Sequence, residues 1–369
     1  MTASNQISAG TRPVKVFSIP GRMSTTRYVA LFCRGLEDAG VEVVDLHEPC
    51  VWRLGFDVIN IHFPVHYISE RSLPYSLCRS LLSLAFYLTA KFIGGIKLVY
   101  TVHDVTPFRP RSGWLLWPTL NLIHALTDGY MFLSASSREE FIRHFPREQH
   151  KPWVRIDHSA FPVVLREKGM STCREALLSC DRPAFLVGFL GLIKDYKGLE
   201  FLPLLPSQLE DGTPVRLVIA GKVDKTYRLF AEPILTLLEK TSFRIDKRLT
   251  DDELEALIQA VDVVVLPYTR GWNSGMAMLV LSLHARILAT CRPLFLELRH
   301  TLGAPWVYTF DGDTNSLTRS ISDVLNTLSR DAIGPVETAR LEAYLSDRSF
   351  IRAGEMARDF YKCLRRKTA

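Results

Sequence analysis

VDVVVLPYTRGWNSGMAMLVLSLHAR, residues 261–286, holds a strand, a turn and a helix in an order that decides the fold class. Its run DVVVLP is apolar and β-branched without alternation, the pattern of a strand covered on both faces. Pro267 and Tyr268 end the run. Trp272-Asn273-Ser274-Gly275 is a short polar turn, and from Met276 onward the apolar spacing is helical. Ser274 or Asn273 can cap that helix, and Gly275 lets backbone amides approach an anion closely. A strand that feeds a helix through a turn is the building unit of a parallel sheet.

The same unit recurs along the chain. Strands are expected at 14–19, 41–46, 57–62, 97–102, 129–134 and 153–157, with helical stretches near 24–39, 70–93 and 113–127. After the polar stretch LREKGMSTCREALLSCDR the pattern restarts, with strands at 185–191, 216–221, 243–246, 262–267, 287–290 and 306–310. The expectation is α/β: two Rossmann-like, doubly wound domains facing across a cleft, 1–165 and 166–345, followed by a terminal helical segment, 346–369. Ligands of open α/β sheets bind beyond the carboxyl ends of the strands, so the residues after each strand are the candidates.

Composition narrows the function classes. The 369 residues are 47% hydrophobic and carry 45 Lys plus Arg against 39 Asp plus Glu, a formal charge of +6. That is a folded, mildly basic protein. The charge fits an anionic ligand or an anionic membrane surface and is too diffuse to argue for nucleic acid. Cysteines 33, 50, 78, 173, 180, 291 and 363 have no CxxC spacing, which points to reduced thiols in the cytoplasm and to no zinc site. The N-terminus reads without a signal-peptide core. The most apolar segment, SLLSLAFYLTA (80–90), is too short to span a bilayer.

Five strand ends carry chemistry. FLGLIKDYKGLEFL (189–202) places Gly191, Lys194 and Lys197 at a strand-to-helix junction, with Gly198 leading into the expected helix. Two lysines beside a helix start match a diphosphate. The Asn273-Ser274-Gly275 turn is a second anion-competent helix start, although an ordinary N-cap gives the same letters. YTVHDVTPF (100–108) ends a strand in His103-Asp104, an imidazole that can take a proton near neutral pH beside a carboxylate that can orient it or act instead. INIHFPVHY (59–67) adds His62 and His66, and IDHSAFP (156–162) adds His158. Asp311-Gly312-Asp313 has the letters of a metal-binding carboxylate pair, but its place between a strand and a helix is that of a capped turn. Arg71, Arg79, Lys91, Arg109, Arg111, Trp114 and Trp117 surround an apolar helix, as in an interfacial membrane element or in a core helix with a snorkelling rim.

Taken in order, DVINIHFPVHY, YTVHDVTPF, FLGLIKDYKGLEFL and VVVLPYTRGWNSGMAMLVLSLHAR resemble the two-domain GT-B glycosyltransferases. More narrowly they resemble the β-mannosyltransferases of xanthan-type exopolysaccharide assembly. The resemblance spans about 57–290. It implies a nucleotide-sugar donor, GDP-mannose by this likeness, held mainly by the C-terminal domain. It also implies a polyprenyl-diphosphate-linked oligosaccharide acceptor held by the N-terminal domain on the inner face of the cell membrane, and a terminal helix that crosses back to the first domain. On this reading Gly191, Lys194, Lys197, Tyr268, Asn273, Ser274, Gly275 and Met276 bind the donor, with no metal and no further cofactor. Two departures stand out. Retaining members carry Glu-x7-Glu where this chain has Asn273 and Leu281, which favours inversion with His103, or else Asp104, as the base. Where relatives read His-Gly, this chain has His158-Ser159. A retaining transferase using another nucleotide sugar and a non-catalytic glycan- or nucleotide-binding partner stay open as alternatives.

Overall fold

The computed structural model describes residues 12–65, 68, 72–104, 113–165, 174, 184–311 and 317–366. His66, Arg71, Arg109, Arg111 and Asp313 lie outside these. The chain divides into two compact units. One comprises 1–133, 141–157 and 350–369, the other 134–140 and 158–349.

The first unit is a six-stranded parallel sheet of order β2-β1-β3-β4-β5-β6. Its strands are β1 (Lys15–Ile19), β2 (Glu42–Val44), β3 (Val58–Ile61), β4 (Lys97–Val102), β5 (Gly129–Phe132) and β6 (Trp153–Arg155). The central β3 and β5 are buried along their whole length, as continuous Val, Ile and aromatic runs require. Helix Arg27–Asp38 packs on the terminal helix Phe350–Arg366 through two glycines. A Cβ on Gly354 would fall 2.0 Å from the Gly35 carbonyl oxygen, and one on Gly35 would fall 2.1 Å from that of Phe350. The two backbones therefore touch where any side chain would hold them apart.

The second unit is another six-stranded parallel sheet, of order β12-β11-β10-β7-β8-β9. Its strands are β7 (Phe185–Leu190), β8 (Val215–Ala220), β9 (Ser242–Ile245), β10 (Val263–Leu266), β11 (Ile287–Thr290) and β12 (Val307–Phe310). One face packs Phe189, Ile219, Val265, Leu288 and Phe310 into a continuous apolar core. All twelve strands fall where the β-branched runs place them.

Each sheet reverses its strand order once, between β1 and β3 in the first unit and between β7 and β10 in the second. Adjacent crossovers leave on opposite faces at such a point and open a crevice at the carboxyl ends of the strands. The crevice residues are Pro20 and His62 in one unit, and Gly191 and Pro267 in the other.

Candidate active site

In the second unit the two loops at the switch point are tied together. The Thr269 amide donates to the Tyr196 carbonyl at 2.8 Å, and Arg270 pairs with Asp195 at 2.6 Å. Gly198 has φ +72°, and a Cβ there would fall 1.9 Å from the Pro267 carbonyl oxygen. Only glycine lets the two loops approach this closely. The α-helix expected after Gly198 is instead a 3-10 element, Leu199–Leu204, and a 3-10 turn, Asp195–Lys197, precedes the glycine. Pro203 removes an amide that continued helix would need. This loop therefore supplies side chains to the crevice, and the one regular α-helix start there belongs to Gly275–Ser282.

Ser274 is the N-cap of that helix, and its Oγ accepts from the Ala277 amide at 3.0 Å. The cap satisfies one of the orphan amides and leaves those of Gly275 and Met276 to meet an anion. A Cβ built on Gly191, at φ +87°, would fall 2.8 Å from the Met276 methyl and 3.4 Å from Lys197 Nζ. Gly191, Lys197 and Met276 thus converge on one spot. The Lys197 side chain is buried, its Nζ lies 5.7 Å from the Tyr268 ring centroid, and it donates a long 3.4 Å bond to the Leu190 carbonyl. Burial, and then the charge of Lys194, lower its ammonium to about 8. A buried cation with so little compensation is a site prepared for an anion.

The capping turn is fixed from several sides. Asn273 Oδ1 accepts from Ser134 Oγ at 3.1 Å. Tyr268 is buried, hydrogen-bonds Ser274 and has its phenol pushed well above the ordinary value by that burial. Trp272 is buried beside them. His158 lies next to Gly275: a Cβ there would be 3.6 Å from its Nε2. Its Nδ1 donates to the Ser159 carbonyl at 3.1 Å, and burial lowers the ring to about 4. The imidazole is therefore neutral, with Nε2 as an acceptor against the helix start. The sequence gives His158 no firm role; the structure puts it in the same cluster as Ser274 and Gly275.

The first unit carries a different constellation. Thr101 Oγ1 donates to Asn60 Oδ1 at 2.9 Å, Asn60 Nδ2 meets His62 Nε2 at 3.1 Å, and His62 Nδ1 meets His103 Nε2 at 2.9 Å. Burial lowers His62 to about 3, so it stays neutral and must donate through one nitrogen and accept through the other. The chain has two self-consistent states. With Thr101 donating, His62 Nδ1–H donates to His103 Nε2, and a neutral His103 carries its proton on Nδ1. With the Asn60 amide turned over, every donor reverses and His103 presents a lone pair at Nδ1. Phe63 stacks on the His103 ring at 4.6 Å, and Tyr28 meets its edge at 5.4 Å. Asp104 follows, and its backbone carbonyl accepts from the buried Tyr100 hydroxyl at 3.1 Å. Asn60 and Thr101 are the signal the motif reading passes over: two amide- or hydroxyl-bearing letters inside otherwise apolar strands.

No family model matches the chain. A GDP-mannose:glycolipid 4-beta-D-mannosyltransferase of Xanthomonas campestris pv. campestris is 25% identical over 314 residues, 82% of this chain and 78% of that protein. Among solved structures, Anabaena HepE in complex with UDP and glucose superposes with a TM-score of 0.64 at 15% identity, covering 95% of this chain and all of that one. The sucrose-phosphate synthase of Thermosynechococcus elongatus gives 0.58 at 12% identity, covering 96% of this chain and 95% of that one.

Proposed function

We propose, for a chain of GT-B glycosyltransferase fold that is similar over most of its length to a GDP-mannose:glycolipid mannosyltransferase, that this protein transfers mannose from GDP-mannose to a polyprenyl-diphosphate-linked oligosaccharide with inversion. The observation that carries the donor half is the cradle at the β7/β10 switch point. Lys197 and the amides of Gly275 and Met276 bind the diphosphate, Lys194 adds charge, and Gly191 leaves the space. His158 Nε2 accepts from a sugar hydroxyl. As the anomeric bond breaks, negative charge grows on the leaving diphosphate. The buried ammonium and the helix start stabilise that charge without reorganising. The lysines thus do the neutralisation, and the proposal assigns no metal to it.

The acceptor half belongs to the first unit. His103 removes the proton from the attacking hydroxyl in the state that keeps its own proton on Nε2. His62 and Asn60 hold that state, because His62 Nδ1 then accepts a hydrogen bond from His103 Nε2–H and His62 Nε2–H donates one to the amide oxygen. Leu81, Phe92 and Ile93 of helix Leu73–Phe92 and its end, with Trp114 and Trp117 of helix Gly113–Leu126, are exposed, and these two helices pack on each other. Aromatic and aliphatic side chains in this combination rest on a bilayer surface, which is where a polyprenyl-linked acceptor resides. Among the described residues no helix is long and apolar enough to cross a membrane.

A ligand that binds only the folded state raises its stability by mass action. Thermal unfolding of the purified chain with GDP, GDP-mannose, UDP and UDP-glucose, with and without magnesium, tests the donor assignment. Selective stabilisation by the guanosine species in both conditions is the expected result. Stabilisation by uridine species alone replaces the sugar, and the absence of any shift overturns the donor site.

A further inference from the structure

A pocket of about 550 Å³ opens at the carboxyl ends of β1 and β2, beneath helix Leu73–Phe92. That volume lies within the range of small-molecule sites. Its walls are apolar: Phe17, Ile19, Leu46, Trp52, Phe86 and Tyr87 line it, and the Phe17 and Phe86 rings meet edge to face at 5.8 Å. A cavity this apolar at a switch point is not explained by a sugar, whose hydroxyls would be left unpaired.

The charges at the pocket are divided between two sides. Asp45 lines it, and its carboxylate is held at 2.7 Å by Arg22, which also pairs with Glu37 at 3.0 Å and Glu48 at 2.9 Å. Gly21 makes that pairing fit, because a Cβ there would fall 2.2 Å from Asp45 Oδ1. Arg79 and His47 also line the pocket, are exposed, and make no hydrogen bond or ion pair among the described residues. The pocket therefore pairs an apolar interior with an exposed guanidinium and an imidazole on one side, while the carboxylates on the other side are engaged by Arg22. Its position matters as well. The carbonyl of Ile19, a wall residue, accepts from the backbone amide of His62 at 2.9 Å. The wall of the pocket and the histidine relay are thus neighbours on adjacent strands.

We infer that this pocket binds the first isoprene units of a prenyl diphosphate, with Arg79 and His47 taking the diphosphate. The inference rests on the proposed acceptor and says where its lipid end sits. An isoprenoid chain matches the apolar walls, and its diphosphate matches the Arg79 guanidinium and the His47 imidazole at the mouth. A headgroup held there, between helix Leu73–Phe92 and the loop after β2, lies at the same carboxyl end of the sheet as His62, and the oligosaccharide reaches from it toward the base. Trp52, with 69% of its surface exposed, closes over part of the chain when the pocket fills.

The test uses geranylgeranyl diphosphate with the full-length protein, below the concentration at which the lipid aggregates. Trp52 is the reporter, and Trp52→Phe identifies its contribution to the fluorescence. The expected result is a saturable Trp52 blue shift. Geranylgeraniol should bind at least tenfold more weakly, pyrophosphate alone should leave Trp52 unmoved, and a lysophospholipid should not compete. Ser83→Trp fills the pocket and should abolish binding. Leu82→Glu, at an exposed position that also lines the pocket, changes only the surface and should weaken binding about tenfold, as should Arg79→Glu. Binding unchanged in Leu82→Glu and Arg79→Glu overturns the inference, as does equal competition by the lysophospholipid. The two readings separate in a transfer assay. Transfer to a prenyl-linked acceptor with KM unaltered in both variants removes the pocket and keeps the transferase. Prenyl diphosphate binding without transfer to any prenyl-linked sugar removes the acceptor reading and keeps the pocket.

Discussion

The two switch-point sites are made of opposite materials. Around His103 in the first unit the partners are a neutral histidine, an amide, a hydroxyl and aromatic rings. At the β7/β10 crevice the central group is a buried ammonium beside a helix start. On the proposed function, the contrast follows from what each has to handle. A proton must be movable, so its carrier sits among groups that can reverse their donors without creating charge. A diphosphate arrives charged and leaves more so, and the group that meets it must be fixed and cationic before it comes. The same fold, with the same parallel strands and the same crevice, supports either according to a few residues at strand ends.

Substitutions should separate these roles. His103→Ala should lower kcat by about 10²–10⁴-fold, the range for losing a general base, with the affinity for GDP unchanged. Lys197→Ala should lower kcat by about 10²–10³-fold, as for losing an electrostatic stabiliser, and weaken GDP binding as well. Steady-state rates and a GDP titration on each variant check the division. Loss of GDP affinity in His103→Ala would break it.

Gly198→Ala should come next in size. The left-handed backbone alone costs about 1–3 kcal/mol, and the close approach to Pro267 adds to it. Urea unfolding should show the loss in the second unit's transition.

Acid should act on both units. His62, His124 and His158 are held by burial at about 3, 4 and 4, against an ordinary 6.5 in the unfolded chain. Unfolding therefore takes up protons in that window. Stability is complete above pH 6.5 and is lost as pH falls toward 4, which denaturation midpoints at stepped pH would measure.

The smallest effect is the most specific to the cradle. Lys197 is lowered to about 8, so at pH 9 it is mostly neutral, and a bound diphosphate restores its charge. GDP binding at pH 9 should take up close to a full proton, and at pH 6.5 almost none from this group. Calorimetry in buffers of different ionisation enthalpy reads the difference, and Lys197→Met should erase it.

The strands were legible because buried parallel strands must be apolar and β-branched throughout, and DVVVLP, KLVYTV and DVINIH say so directly. The helix start at Ser274 was legible for a similar reason: a Ser-Gly turn between a buried strand and an apolar helix reads as an N-cap, and Ser274 Oγ accepts from the Ala277 amide. The segment after Gly198 misled because a basic strand end followed by leucines reads as a helix, while Pro203 and the approach to Pro267 hold it in 3-10 turns. Contacts remote in sequence were out of reach. Ser134 meets Asn273 across 139 positions, and the apolar pocket gathers walls from β1, the end of β2 and helix Leu73–Phe92. No local spacing encodes such a gathering. His62 and His103 were each visible, yet their 2.9 Å contact exists because β3 and β4 pair in register.

The most direct test of the central claim is a transfer reaction with the purified full-length protein. GDP-mannose labelled at the anomeric carbon is supplied with a prenyl-diphosphate-linked oligosaccharide, and the product is read by NMR for linkage and anomeric configuration. A new β-mannosidic bond on the lipid-linked glycan, with release of GDP, is the expected outcome. An α-linked product would contradict inversion, and no transfer from GDP-mannose, with transfer from another nucleotide sugar in its place, would contradict the donor.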